Sequence, residues 1–295
     1  MSNQDENKEL SALVSLLDEP DIKNYNNIRK SIFSFGKSSI PLLETTLENT
    51  FDDTVLKRIQ NIIQEIRFEE ICKRLDNWVN SSSHNLLDAF LLITKFQYPD
   101  IDDIKIKDQI AKIQKNIWLE LNDNFTALEK IKVFNHILFE AYKFRVNINK
   151  IKFQNFFINN VLETKECSSI SMGILYLILA KNLGVTVFGI NLPEQFILAY
   201  IEKSSKNKIT EDFNPEVLFY INPTNKGSIF KKDQIDFFLK QLNIKPEKSH
   251  YHSCDNLLII QRLLSELSIV FENSEFSDRV FQYTELLKIT KTKKR

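Results

Sequence analysis

Before Lys165, apolar positions recur three and four residues apart, the spacing of helices that bury one face. Leu10, Leu13, Leu16 and Leu17 form the first stripe. Asp18-Glu19-Pro20-Asp21 breaks it, because Pro lacks an N–H donor and Asp caps a new start. Tyr25, Ile28, Ile32 and Phe33 form the second stripe, Gly36 stops it, and Pro41, Leu42, Leu43 and Leu47 open a third. This order is the grammar of a HEAT-type unit, with about one and a half units up to Arg67 and no long solenoid. Helical faces continue with Ile71, Leu75, Trp78 and Val79, then Leu86, Leu87, Phe90, Leu91 and Ile93. After a break at Tyr98-Pro99-Asp100 come Ile110, Ile113, Ile117, Trp118 and Leu121. Thr126 and Glu129 have capping-box spacing ahead of Ile131, Val133, Phe134 and Ile137. His136 lies in this last helix and reads as a core or groove residue.

The pattern changes after Asn155. Ile170–Leu183 is apolar nearly all round, which predicts a central buried helix, and Gly184 stops it. Val185–Asn191, Phe196–Ile201 and Val217–Asn222 are β-rich, with Glu202–Glu216 as a polar connection and Pro223–Gly227 as a turn. Lys232–Leu242, Asn256–Phe271 and Ser277–Lys288 are amphipathic again, and the last two suit a helical hairpin. The expected fold class is α+β. Residues 1–150 form an all-helical leader with a HEAT-like start. Residues 151–295 form a domain with a small antiparallel sheet and C-terminal helices.

Composition narrows the functional classes. Lys+Arg and Asp+Glu both number 39, and this neutrality argues against a broad nucleic-acid face. The basic tail Lys288–Arg295 reads as a solvated terminus. The polar, acidic start Met1–Glu9 does not read as a signal peptide, and the longest apolar run, Ile174–Ala180, is too short to span a bilayer. Three widely spaced cysteines, Cys72, Cys167 and Cys254, fit a reducing compartment, so a cytoplasmic location is expected. No cofactor is expected. His250, His252 and Cys254 alternate along one segment, but a fourth ligand is not evident, and they read as loop residues rather than a metal site.

The helix–strand–strand–strand order of Cys167–Asn222 carries the main functional signal. Together with Ile158–Glu163 (INNVLE), Ser169–Tyr176 (SISMGILY), Leu183–Gly189 (LGVTVFG), Leu192-Pro193 before Phe196-Ile197-Leu198, and Phe219–Gly227 (FYINPTNKG), it resembles the bacterial transglutaminase-like family named for its SirB-one members. The start, with Leu16–Asp21 and Ile40-Pro41-Leu42, resembles that family's helical leader, so the likeness runs from about Glu9 to Lys288. The resemblance implies a papain-like fold in which a Cys at a helix start, a His on one strand and an acid on the next perform acyl transfer.

Carried over by position, those three places hold Ser169, Gln195 and Asn222. A Ser without a base is a poor nucleophile, and Gln and Asn do not shuttle protons near neutral pH. The expectation is therefore a catalytically inactive transglutaminase-like module with a protein or peptide partner. The alternative is a cysteine-dependent acyl-transfer or amide-hydrolysing enzyme that uses Cys167, two residues before the nucleophile place, with His250 or His252 as its base.

Overall fold

A computed structural model describes residues 3–147, 152–202, 217–272 and 278–292. The chain forms two compact units, Met1–Asn77 and Trp78–Arg295. The division expected between residues 150 and 151 falls outside the described residues.

The first unit contains α1 (Asn3–Ser15), α2 (Ile22–Ser34), α3 (Ile40–Asn49) and most of α4 (Asp53–Asn80). Asp21 caps α2 by accepting from the Asn24 amide at 2.8 Å, and Pro41 sits in the first turn of α3, where its missing N–H costs nothing. Leu10, Val14, Leu17, Ile32, Leu43, Ile59 and Ile62 form the core. Arg58 ties the α1–α2 turn to α4 by donating to the Leu17 and Glu19 carbonyls at 2.7 and 2.8 Å. Leu16 belongs to the first sequence stripe yet is exposed, because α1 ends at Ser15 and the turn carries Leu16 outward.

The second unit begins with α5 (Leu86–Gln97), α6 (Asp103–Glu120) and α7 (Ala127–Asn135), which runs into a π-helical turn, His136–Ala141. The capping box at the start of α7 is present: Glu129 N–H donates to Thr126 Oγ1 at 3.3 Å and Thr126 N–H to Glu129 Oε2 at 2.8 Å. On α6, Ile106, Ile110, Ile113 and Ile117 point inward, while Trp118 lies outside the apolar face that the sequence assigns to it. Next come β1 (Arg145–Val146), α8 (Ile158–Thr164), β2 (Glu166–Cys167) and α9 (Ser169–Asn182). They are followed by β3 (Val187–Asn191), β4 (Phe196–Ile201), β5 (Val217–Asn222) and β6 (Ser228–Phe230), then α10 (Lys232–Gln241), α11 (Asn256–Glu272) and α12 (Asp278–Lys291). Strands β3 to β6 form an antiparallel sheet in sequence order, and β1 pairs with β2 in parallel. The protein is α+β.

Every residue of α9 from Ile170 to Ala180 is buried, so an all-round apolar sequence becomes a core helix. It approaches the sheet closely because Phe196 fits between two glycines. A Cβ on Gly173 of α9 would stand 2.5 Å from Phe196 Cε1, and one on Gly189 of β3 would stand 2.6 Å from Phe196 Cζ. Helices α11 and α12 pack as the expected hairpin, with Phe271 stacked on Tyr283 at 5.0 Å and Gln261 Nε2 donating to the Thr290 carbonyl at 2.9 Å.

Two opposing effects decide what Gly173→Ala does. In a helix interior, Ala is favoured over Gly by about 1 kcal/mol, whereas overpacking a core typically costs about 1–3 kcal/mol. At this contact the ring must move, so urea unfolding should show a net loss of about 1–2 kcal/mol. A gain in stability would mean that Phe196 does not occupy the slot.

Candidate functional site

The site lies where the start of α9, the first residue of β4 and the end of β5 meet. Ser168 caps α9: its hydroxyl accepts from the Ser171 N–H at 3.2 Å and contacts Ser171 Oγ at 2.9 Å. Its own N–H donates to the Asn155 carbonyl at 2.9 Å, which fixes the entry of the chain. Ser169 is therefore the first residue of the helix. Its Oγ donates to the Phe196 carbonyl at 3.3 Å and receives the Thr224 hydroxyl at 3.0 Å. Each hydroxyl has one proton to give, so the chain runs in one direction, from Thr224 to Ser169 to the Phe196 carbonyl.

Asn222 ends β5, and its Oδ1 accepts from the Thr224 N–H at 3.0 Å, capping the turn Pro223–Asn225. Asn222 and Ser169 are thus joined through Thr224. Gln195 lies on the exposed turn before β4, with its N–H on the Pro193 carbonyl at 2.7 Å. It adjoins Phe196 in the chain, but its side chain makes no hydrogen bond to Ser169 or Asn222 among the described residues. Arg262 of α11 holds the neighbouring loop by donating to Asn191 Oδ1 at 2.7 Å and to the Leu192 carbonyl.

Cys167 is set apart from this cluster by the helix cap. It ends β2 opposite Val146 and is buried, with Sγ 3.9 Å from the Lys165 carbonyl oxygen. Burial pushes its thiol far above the usual range. Lys165 pulls the other way and Glu166 adds to the rise. No imidazole bonds to it among the described residues. Lys165 has its own ammonium on the Leu162 carbonyl, and burial lowers its pKa.

The histidines stand elsewhere. His136 is exposed and pairs with Glu140 at 2.9 Å, because the helix turns that position to solvent instead of into the core or groove expected from the sequence. His250 is buried, and its Nδ1 accepts from the Glu247 N–H at 3.1 Å. His252 is exposed. Cys254 is tied to the edge of the sheet through its N–H on the Gly189 carbonyl at 2.8 Å, and burial raises its thiol to about 12. Among the described residues, no group of three or more His, Cys, Asp or Glu has an arrangement that would hold a metal ion.

Thr224 is not among the residues expected from the sequence, although an Asn-Pro-Thr turn at a strand end carries the signal. The Asn side chain bonds two residues ahead and orients the Thr hydroxyl. Asn135 is a second such residue: it receives the Tyr176 hydroxyl at 3.3 Å and donates to the Gly227 carbonyl at 2.7 Å. That link braces the β5–β6 turn against α7 and the buried face of α9.

A sequence model of the Transglutaminase-like superfamily matches residues 104–265, a stretch that contains this whole cluster. The chain belongs to that superfamily. It is 25% identical over 205 residues to a UPF0162 protein of Vibrio cholerae serotype O1, covering 68% of this chain and 72% of the relative. It is 26% identical over 134 residues to a UPF0162 protein of Buchnera aphidicola subsp. Acyrthosiphon pisum, covering 44% of this chain and 45% of that relative, less than half of its length. No solved structure matches. Among the described residues, no helix is long and apolar enough to cross a membrane.

Thiol chemistry gives a direct check of the site. A thiol kept protonated by burial favours the folded state up to the ordinary thiol range. Above that range the unfolded chain ionises first, so this contribution to stability is lost as pH rises. Iodoacetamide mapping of the native protein at pH 8.5 should leave Cys167 unlabelled, and unfolding in urea should expose it to the reagent. Native labelling of Cys167 at or below pH 8 would contradict the burial.

Proposed function

We propose that the chain is a catalytically inactive transglutaminase-like domain of the SirB-one type that serves as a protein-binding scaffold in the reducing cytoplasm. In this reading Ser169, Gln195 and Asn222 are a degenerate Cys-His-Asp set, and the partly exposed surface around Ser169 binds a peptide or an acyl-amide group without cleaving it. The observation that carries it is the hydroxyl chain at Ser169. A nucleophile needs a base to take its proton in the transition state. Here the Ser169 proton is given to a backbone carbonyl, which does not act as a base near neutral pH, and the neighbouring hydroxyl donates instead of accepting.

The other candidate nucleophile supports the same reading. An activated cysteine has a lowered pKa from a helix N-terminus or a nearby cation. Burial outweighs the Lys165 charge at Cys167, and the thiol stays neutral. The helices of the first unit offer a second surface, since paired helices expose extended faces to partners.

Restoring the lost groups tests the assignment. Ser169→Cys combined with Gln195→His and Asn222→Asp should create a thiol at 169 that iodoacetamide alkylates at pH 6.5 about tenfold faster than an ordinary cysteine. The single Ser169→Cys variant should remain ordinary. Wild-type protein should neither hydrolyse a glutaminyl peptide nor transfer it to a primary amine. Turnover by the wild type that disappears in Ser169→Ala or Cys167→Ala would overturn the proposal.

A further inference from the structure

The outward face of α6 is not built like that of a helix which only meets water. Ile104 is 71% exposed, Trp118 64% and Leu119 62%. Lys105, Lys107, Lys112 and Lys115 are exposed on the same helix. Among the described residues, the α6 side chain that forms an ion pair is Asp103, bound to Lys95 at 2.7 Å, so these four lysines hold none.

The helical projection organises this face. Ile104, Asp108, Ala111, Lys115 and Leu119 run along its outermost line. Lys107 and Trp118 lie on one flank, Lys105 and Lys112 on the other. Apolar groups therefore stand at the two ends, about 22 Å apart at 1.5 Å per residue, with cationic groups between them. Beside Ile104 there is a shallow, open depression of about 350 Å³ lined by Asp102, Ile104, Lys105, Asp108, Gln109 and Lys112. Ile104 is the apolar residue of its lining, and the other five side chains are charged or polar.

We propose that this face of α6 docks an acidic amphipathic helix of a partner protein, about four turns long, with apolar residues at its two ends and carboxylates between them. Charge complementarity selects the occupant: four unpaired lysines favour carboxylates, and the end groups favour apolar anchors. Asp108 distinguishes this partner from an anionic membrane. It lies on the outermost line, where it would face lipid phosphates and interrupt the continuous apolar stripe that an interfacial helix needs. A helical partner can meet it with a single Lys. The surface shares no residue with the Ser169 cluster, so the proposal holds whether or not that cluster is catalytic.

The test uses the full chain and the emission of Trp118. The other tryptophan, Trp78, is buried with its indole N–H on the Asn85 carbonyl at 2.8 Å and supplies a constant background. Three probes are titrated: a stapled helical peptide of about 16 residues with Leu at both ends and Glu between, the same peptide with Lys for Glu, and phosphatidylglycerol–phosphatidylcholine vesicles. The acidic peptide should shift Trp118 emission to the blue and bind about tenfold tighter than its Lys counterpart, with the advantage shrinking as salt rises. Lys112→Glu with Lys115→Glu should reverse the preference, and Trp118→Phe should remove the signal. Equal binding of both peptides, no peptide binding, or a shift produced by vesicles alone would each overturn the proposal.

Discussion

The Phe196 ring, held between Gly173 and Gly189, sets the distance between the central helix and the sheet, and the candidate site depends on that distance. Without a Cβ on either side, α9 and β3 both close on the same ring. The ring draws the start of β4 up to the first turn of α9, so the Phe196 carbonyl comes within reach of the Ser169 hydroxyl. The end of β5 follows because it is paired with β4, with Ile221 opposite Leu198, which brings Asn222 and Thr224 to the same point. Packing of one aromatic side chain thus assembles three separate segments of the chain around a single hydroxyl.

What gathers there is polar but neutral. Ser169, Thr224 and Asn222 satisfy one another and the backbone, and none of them takes up or releases a proton near neutral pH. The other candidate nucleophile, Cys167, lies behind the helix cap, where loss of solvation outweighs the attraction of Lys165. Superfamily membership gives the scaffold, and the scaffold alone does not give the reaction. The face of α6 has the opposite character, with unpaired charges and uncovered apolar groups at once.

Long elements with a clear burial pattern were legible in the sequence. Helix α9 announced itself because eleven consecutive residues, Ile170 to Ala180, are buried and only a core helix accommodates that. The capping box at Thr126 and Glu129 was legible because both partners lie within one turn. Short elements were not: β6 has three residues and β1 and β2 have two each, too few for an alternating pattern to emerge. Tertiary context reversed some local expectations, as at Trp118, where the helix buries Ile110, Ile113 and Ile117 and leaves the indole out. The meeting of Ser169 and Asn222 was implied by position, but the hydroxyl that links them was not, because Thr224 reaches Ser169 only once the glycine slot has brought helix and sheet together. His136 shows the limit of composition: one imidazole on an apolar-rich helix says nothing of the direction in which it points.

The most direct test of the account is the rate at which a fluorophosphonate labels Ser169 between pH 5 and pH 9, read by peptide mass. A hydroxyl that donates to a carbonyl and has no base beside it should remain unlabelled throughout that range. Labelling that rises through the imidazole range would contradict the account, because it would show that a base reaches Ser169 and that the site retains catalytic capacity.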